Sequence, residues 1–208
     1  MKKIILLGDS TREGYDKYVR EQLDGVAEVL FPQENCQFAL YLFRHLQDWQ
    51  RNGSWGNDAD LVHWNAGLWD ALHLLRQEPL SDPEDYAKTV RRIDSRIRFM
   101  FPKAKVVFAT NTLGIDERYD SDINYRLNAE IEEYNRYALA ALEGTGTIID
   151  DLCEVSRTMP REYYIDAVHM YEPEGRRRMG EAVLSCVCPL VGIEKHADGK
   201  WVDTEKEL

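Results

Sequence analysis

Five short apolar runs, separated by longer stretches of helical period, restrict this chain more than any other feature. The runs are "KIILLG" from Lys3, "AEVLF" from Ala27, "LVHWNAG" from Leu61, "KVVFATN" from Lys105 and "TIIDDL" from Thr147. Each is short, and most lack the apolar/polar alternation of a strand with one wet face, so they read as strands buried on both faces. The helical stretches cover 14–23, 38–50, 83–100, 123–142 and 174–187. Several of their ends have a visible cause. Asp82 precedes Pro83, which suits a first helical position, and Glu84 and Asp85 occupy the first turn, where the helix dipole favours acids. Gly25 and Gly144 mark stops. Strands that alternate with helices of this length pair in parallel through right-handed crossovers, because a tight hairpin cannot close a parallel pair. The expectation is a three-layer α/β/α sandwich in a single domain, residues 1–194, followed by a loosely held polar tail, 195–208, in which Trp201 is suited to dock.

Several function classes fall away on composition. With 208 residues, 44% hydrophobic and 30% charged, the chain can bury one core and is neither disordered nor fibrous. No apolar run approaches the roughly 20 residues of a membrane-spanning helix, and the apolar segment behind "MKK" is shorter than the ~7–15 residues of an export signal. No membrane insertion is expected, and a cytoplasmic location is. A net charge of −11 disfavours nucleic acid and anionic membranes. The basic "GRRRMG" (175–180) reads as a solvated helix face. Cys36, Cys153, Cys186 and Cys188 lack the paired doublets of a metal site and read as buried thiols. The acidic "GIDERYDSDIN" (114–124) lacks the spaced ligands of a calcium loop and reads as a solvated loop or a lid. Neither metal nor cofactor is expected, and a homo-oligomer is left open.

In open parallel sheets, ligands gather beyond the carboxyl ends of the strands. That rim collects Ser10, Asn35, 65–70, Asn111 and the segment after Asp151. Alone, Ser10 reads as an N-cap for the helix behind it. A nucleophile would need a base, a group that orients the base, and donors for the oxyanion. Among the five histidines, His45 and His73 fall in helical contexts, His63 in a strand and His196 in the tail. His169 is on a rim loop three residues after Asp166. That spacing lets one turn present both side chains to one point, so the pair supplies the base and its orienter, unless it is only a surface ion pair.

"GDS" at 8–10 and "DAVH" at 166–169 resemble the first and last blocks of the SGNH (GDSL-type) hydrolases. The resemblance spans 4 to about 191. It implies a flavodoxin-like, five-stranded parallel sheet and an esterase acting on acyl, often acetyl, esters of sugars and lipids. It also implies Ser10 as nucleophile, His169 as base and Asp166 as its orienter. A true flavodoxin fold is the structural runner-up, but "GDSTREGY" sets Asp9 and Glu13 where a phosphate would bind.

Two blocks depart from the family's pattern. "GLWD" (67–70) has Trp69 where the family has asparagine. Asn65 is the nearest replacement amide, although in a regular strand it would sit roughly 13 Å back; the Trp69 indole N–H is another donor. "FPQENCQF" has no glycine after the second strand, leaving Asn35 or Cys36 to supply a backbone N–H. The candidate oxyanion residues are thus Asn65, Cys36 and Gly67, and the candidate substrate rim is Asn35, Trp69 and Asp9. Trp64, Trp69, Tyr163 and Tyr164 are aromatics suited either to stacking on a sugar ring or to packing. A small-molecule or carbohydrate ester is the expected partner. Acyl transfer and a catalytically silent binder of the same fold are the alternatives.

Overall fold

The first apolar run is a central strand with neighbours on both edges. In the computed structural model, which describes residues 1–120 and 122–206, β1 (Lys2–Leu7) leads into α1 (Ser10–Gln22), β2 (Ala27–Leu30), α2 (Ala39–Asn52) and β3 (Leu61–Trp64). The short β4 (His73–Leu74), α3 (Pro83–Met100), β5 (Lys105–Ala109), β6 (Asn124–Tyr125), α4 (Asn128–Leu142) and β7 (Ile148–Asp150) follow. Last come α5 (Leu152–Arg157), α6 (Pro173–Leu190), β8 (Ile193–Lys195) and β9 (Trp201–Asp203). The five long runs form one sheet in the order β2-β1-β3-β5-β7, every pair parallel. The expected sandwich is what the chain builds.

Burial follows the strand period. Ile4 and Leu6 of β1 join Tyr15 and Val19 of α1 and Met179, Val183 and Val187 of α6 on one face. Ile5 and Leu7 join Leu42 and Leu46 of α2, Ile93 and Ile97 of α3 and Ala138 of α4 on the other. Alternate side chains of one strand therefore supply two cores, which is why the runs carry no polar alternation.

The elements depart from expectation where local bonds compete with period. Helix α1 starts at Ser10, not at 14, because the Asp9 carboxylate accepts the Thr11 N–H at 2.9 Å and caps it. The third strand stops at Trp64, and the chain turns at Gly67, whose φ of +142° suits glycine. The helix expected from 123 begins at Asn128; Asn124 and Tyr125 instead pair antiparallel with Leu74 and His73. His73 is thus a strand residue, stacked on Tyr125 and bonded through Nε2 to Glu130 at 2.8 Å. The segment expected as a loose tail, 195–208, carries regular structure at Lys195 and over Trp201–Asp203. There β8 and β9 form a hairpin, and Trp201 is buried in the core beside α6. Residues 207–208 of that segment, and Ser121 of the acidic loop, lie outside the described residues.

Candidate active site

Three side chains from opposite ends of the chain meet at the rim. Ser10 stands at the first position of α1, with only Gly8 and Asp9 between it and the end of β1. Its Oγ lies 2.8 Å from Nε2 of His169, and Nδ1 of that ring lies 2.6 Å from Oδ2 of Asp166. Asp166 Oδ1 also accepts the N–H groups of Val168 and His169, at 2.8 and 2.7 Å. Partial burial acts to raise the Asp166 carboxyl, but bonds from the His169 ring and these two N–H groups outweigh it and hold the group below its ordinary value. An ionised carboxylate only accepts, so Nδ1 carries the ring proton, and Nε2 is left with a lone pair for the Ser10 hydroxyl.

The loop that carries this pair is closed on itself and tied down. Ile165 N–H donates to the His169 carbonyl at 2.9 Å, and Ile115 N–H donates to Ala167 at 2.7 Å. Arg118 Nη1 reaches the carbonyls of Tyr164 and Asp166. Tyr171 donates its hydroxyl to the Ser10 carbonyl. Arg176, from the stretch read as a solvated face, bonds the Tyr171 carbonyl and lies over that ring at 4.2 Å. Part of that basic stretch therefore supports the site.

A cavity of about 640 Å³ opens over Ser10 and His169. Asn35 and Trp69 lie on its wall as expected, and Arg118, Tyr119 and Asp120 of the acidic loop form one side. Four candidates are elsewhere. Asp9 is fully buried as the α1 cap and so does not belong to the rim. Cys36 donates its backbone N–H to the Gly8 carbonyl at 3.0 Å, and its thiol, pushed by burial to about 12, takes the Gly8 N–H at 3.3 Å. It has no N–H left for an oxyanion. Asn65 continues the β1–β3 ladder by donating to Leu7. Its amide lies so close over Gly8 that a Cβ there would fall 1.9 Å from Oδ1. Gly67 is packed against Asn111 in the turn, where a Cβ would fall 2.2 Å from Nδ2. None of these four lines the cavity.

Aromatic side chains at the rim are also redistributed. Trp64 is fully buried against Phe108, and Tyr164 is buried with its hydroxyl on the Leu113 carbonyl. Trp69, Tyr119 and Tyr171 are the aromatics that line the cavity. Arg126, also on the wall, had no sequence signal: it follows a two-residue strand that has no hydrophobic period.

The site and the sheet together define an α/β protein with a serine–histidine–aspartate constellation at its rim. Solved structures refine that class. The lipase/acylhydrolase from Enterococcus faecalis matches with a TM-score of 0.69 at 16% identity, over 89% of this chain and 94% of that one. The acetyl xylan esterase AlAXEase matches with a TM-score of 0.65 at 17% identity, over 89% of this chain and 99% of that one. A GDSL-like lipase from Bacteroides thetaiotaomicron matches at 0.64 and 15% identity, over 89% and 87% of the two chains. The chain therefore has the SGNH (GDSL-type) hydrolase fold. No protein-family model and no curated protein matches the sequence.

Proposed function

We propose that the chain is a serine esterase that hydrolyses acyl esters through an acyl-enzyme. The observation that carries this reading is the unbroken relay from Ser10 Oγ through His169 to Asp166, with both links inside hydrogen-bonding distance. In the first step Ser10 Oγ bonds to the ester carbonyl carbon while its proton passes to His169 Nε2. Asp166 holds the ring in the productive tautomer and faces the imidazolium that forms. The tetrahedral oxyanion takes the Ser10 backbone N–H, a first-turn donor that no intrahelical carbonyl can use, at the positive end of α1. Collapse breaks the carbon–oxygen bond to the alcohol, and His169 returns the proton to the leaving alkoxide. Water then attacks the acyl-Ser10 with His169 again as base, releasing the acid.

Acetyl esters on carbohydrates are the substrate class this reading favours, with Trp69 offering a face to a sugar ring. The acetyl xylan esterase among the similar structures supports it. Four free cysteines, three of them buried, fit a reducing and hence cytoplasmic setting.

Intact-mass measurement after treatment with a fluorophosphonate tests the proposal, alongside p-nitrophenyl acetate turnover. One adduct, absent in Ser10→Ala, is expected, and turnover in that variant should fall by roughly 10⁴-fold or more. No adduct under conditions that label a control esterase, with no turnover, would leave a binder of the same fold.

A further inference from the structure

Two features of the cavity remain without a counterpart. The first is a missing donor. A developing oxyanion beside Ser10 is stabilised by preorganised N–H groups in a dry site, and each such donor contributes about 10²–10³ in rate. Trp69 stands where an amide side chain would serve, and Asn65, Cys36 and Gly67 are off the cavity wall. The second is an unused cation. Arg126 lines the same cavity, is only 8% exposed, and forms no ion pair among the described residues, although the chain has 37 acids to 26 bases. A buried guanidinium without a carboxylate is costly and calls for a function.

Inspection of the wall's side-chain N–H groups narrows the donors. Asn35 commits one of its two Nδ2 hydrogens to Glu13 at 3.1 Å, and the other is a neutral amide donor without the charge of a guanidinium. Arg118 commits both terminal nitrogens to the carbonyls of Arg161, Tyr164 and Asp166. Asn124 is exposed. Arg126 uses Nε on the Leu68 carbonyl, in the very block that lacks the amide, and this bond fixes the plane of the guanidinium. Neither Nη bonds a carbonyl or a carboxylate among the described residues; the Tyr119 hydroxyl, on the same wall, is the polar group beside them, and neither Nη is sealed from solvent. The pair is thus left to the cavity. The backbone that presents it is held by the β4–β6 ribbon, where His73 stacks on Tyr125 with ring planes 4° apart and bonds Glu130.

The acids on the wall do not compete for this cation. Asp166 serves His169, Glu13 serves Asn35, and Asp120 Oδ1 accepts the Asp122 N–H. Burial acts to lower the Arg126 pKa, and the adjoining Tyr119 hydroxyl together with the charges of Asp9 and Asp166 only partly opposes it. Arginine nonetheless stays protonated in proteins.

We propose that Arg126 supplies the side-chain oxyanion donor, its two Nη groups binding the oxygen that develops negative charge when Ser10 attacks, in place of the amide that Trp69 has displaced. The inference rests on the esterase reading and adds a catalytic residue to it. Charge-assisted donation from a guanidinium is stronger than from an amide. It also makes the indole N–H of Trp69 dispensable.

Steady-state kinetics on p-nitrophenyl acetate and on 4-acetoxybenzoate, with wild type, Arg126→Ala and Arg126→Lys, tests this. For Arg126→Ala, kcat should fall about 10²–10³-fold on both esters with KM changed by less than about threefold, and fluorophosphonate labelling should slow in parallel. Millimolar methylguanidinium should restore part of that kcat, which a merely structural role would not allow. Arg126→Lys should retain an intermediate rate. Three results would overturn the proposal: kcat of Arg126→Ala within threefold of wild type; a loss confined to KM; or a loss confined to the carboxylate-bearing ester, which would make Arg126 an anion anchor. A wild-type protein that neither labels nor turns over either ester would overturn the esterase reading as well, so the two failures are distinguishable.

Discussion

At the scale of single residues, Asp166 shows how one carboxylate can set a proton's position. It accepts the His169 ring N–H and two backbone N–H groups, so both its charge and its orientation are fixed before substrate arrives. Asn at this position offers an N–H to Nδ1 and favours the opposite tautomer, which removes the Nε2 lone pair that Ser10 needs. Asp166→Asn is therefore expected to lower kcat by about 10²–10⁴-fold while KM on p-nitrophenyl acetate stays within a few-fold. A loss seen mainly in KM would remove Asp166 from the proton relay. Ser10 could be singled out in the sequence because it stands where the first strand gives way to a helix, and Asp166 and His169 because their three-residue spacing falls on a loop before the last helix. The fates of backbone N–H groups were not. Nothing in "PQENC" tells that Cys36 gives its N–H to Gly8, and nothing in "HWNAG" tells that the Asn65 amide closes over Gly8. Arg126 was silent for a related reason: its importance lies in a carbonyl and a cavity that tertiary structure brings to it.

Among the elements, α1 shows how the site is tied to the next loop. Arg12, only 1% exposed, pairs with Asp16 one turn on. It also donates to the carbonyls of Pro32 and Glu34, at 3.1 and 2.7 Å. The helix that presents Ser10 thereby grips the loop that presents Asn35. Removing only the cation strands a buried Asp16 and two carbonyls, which costs about 3–5 kcal/mol for a broken buried pair. Arg12→Met should accordingly lose stability of that order in urea unfolding, and Arg12→Met/Asp16→Leu should recover a good part of it. Equal stability of the single variant and wild type would deny the clamp. Element type was readable for the five strands of the main sheet and the main helices, because apolar runs, helical period and capping residues agree there. It failed at 123–127, where an apparent helical period gave way to pairing with β4, and at the C-terminal hairpin, where one tryptophan anchors an otherwise polar sequence. Both misreadings involve strands of two or three residues outside the main sheet, with no apolar run around them to mark a buried strand.

Across the whole molecule, one buried carboxylate links segments that the sheet brings to the same rim. Asp70 Oδ2 accepts the Ala39 N–H at the start of α2, and Oδ1 accepts the Ser81 hydroxyl just before α3. Burial pushes its pKa up to about 6, with the bonds from Ala39 and Ser81 opposing the shift. A carboxyl whose pKa is higher in the folded than in the unfolded chain stabilises most when protonated. That contribution is fully present below the ordinary value of 3.8 and is lost as pH rises through about 6. Asn at this position is neutral at every pH and lacks the dependence. The stability of wild type minus that of Asp70→Asn should therefore decline from about pH 4 to about pH 7, by up to roughly 3 kcal/mol for a shift of about two units. Urea unfolding of both proteins at several pH values checks this, and the difference cancels the contributions of every other titrating group. A difference that grows with pH would mean that the ionised form is the one the fold prefers, with the Ala39 and Ser81 donors outweighing burial.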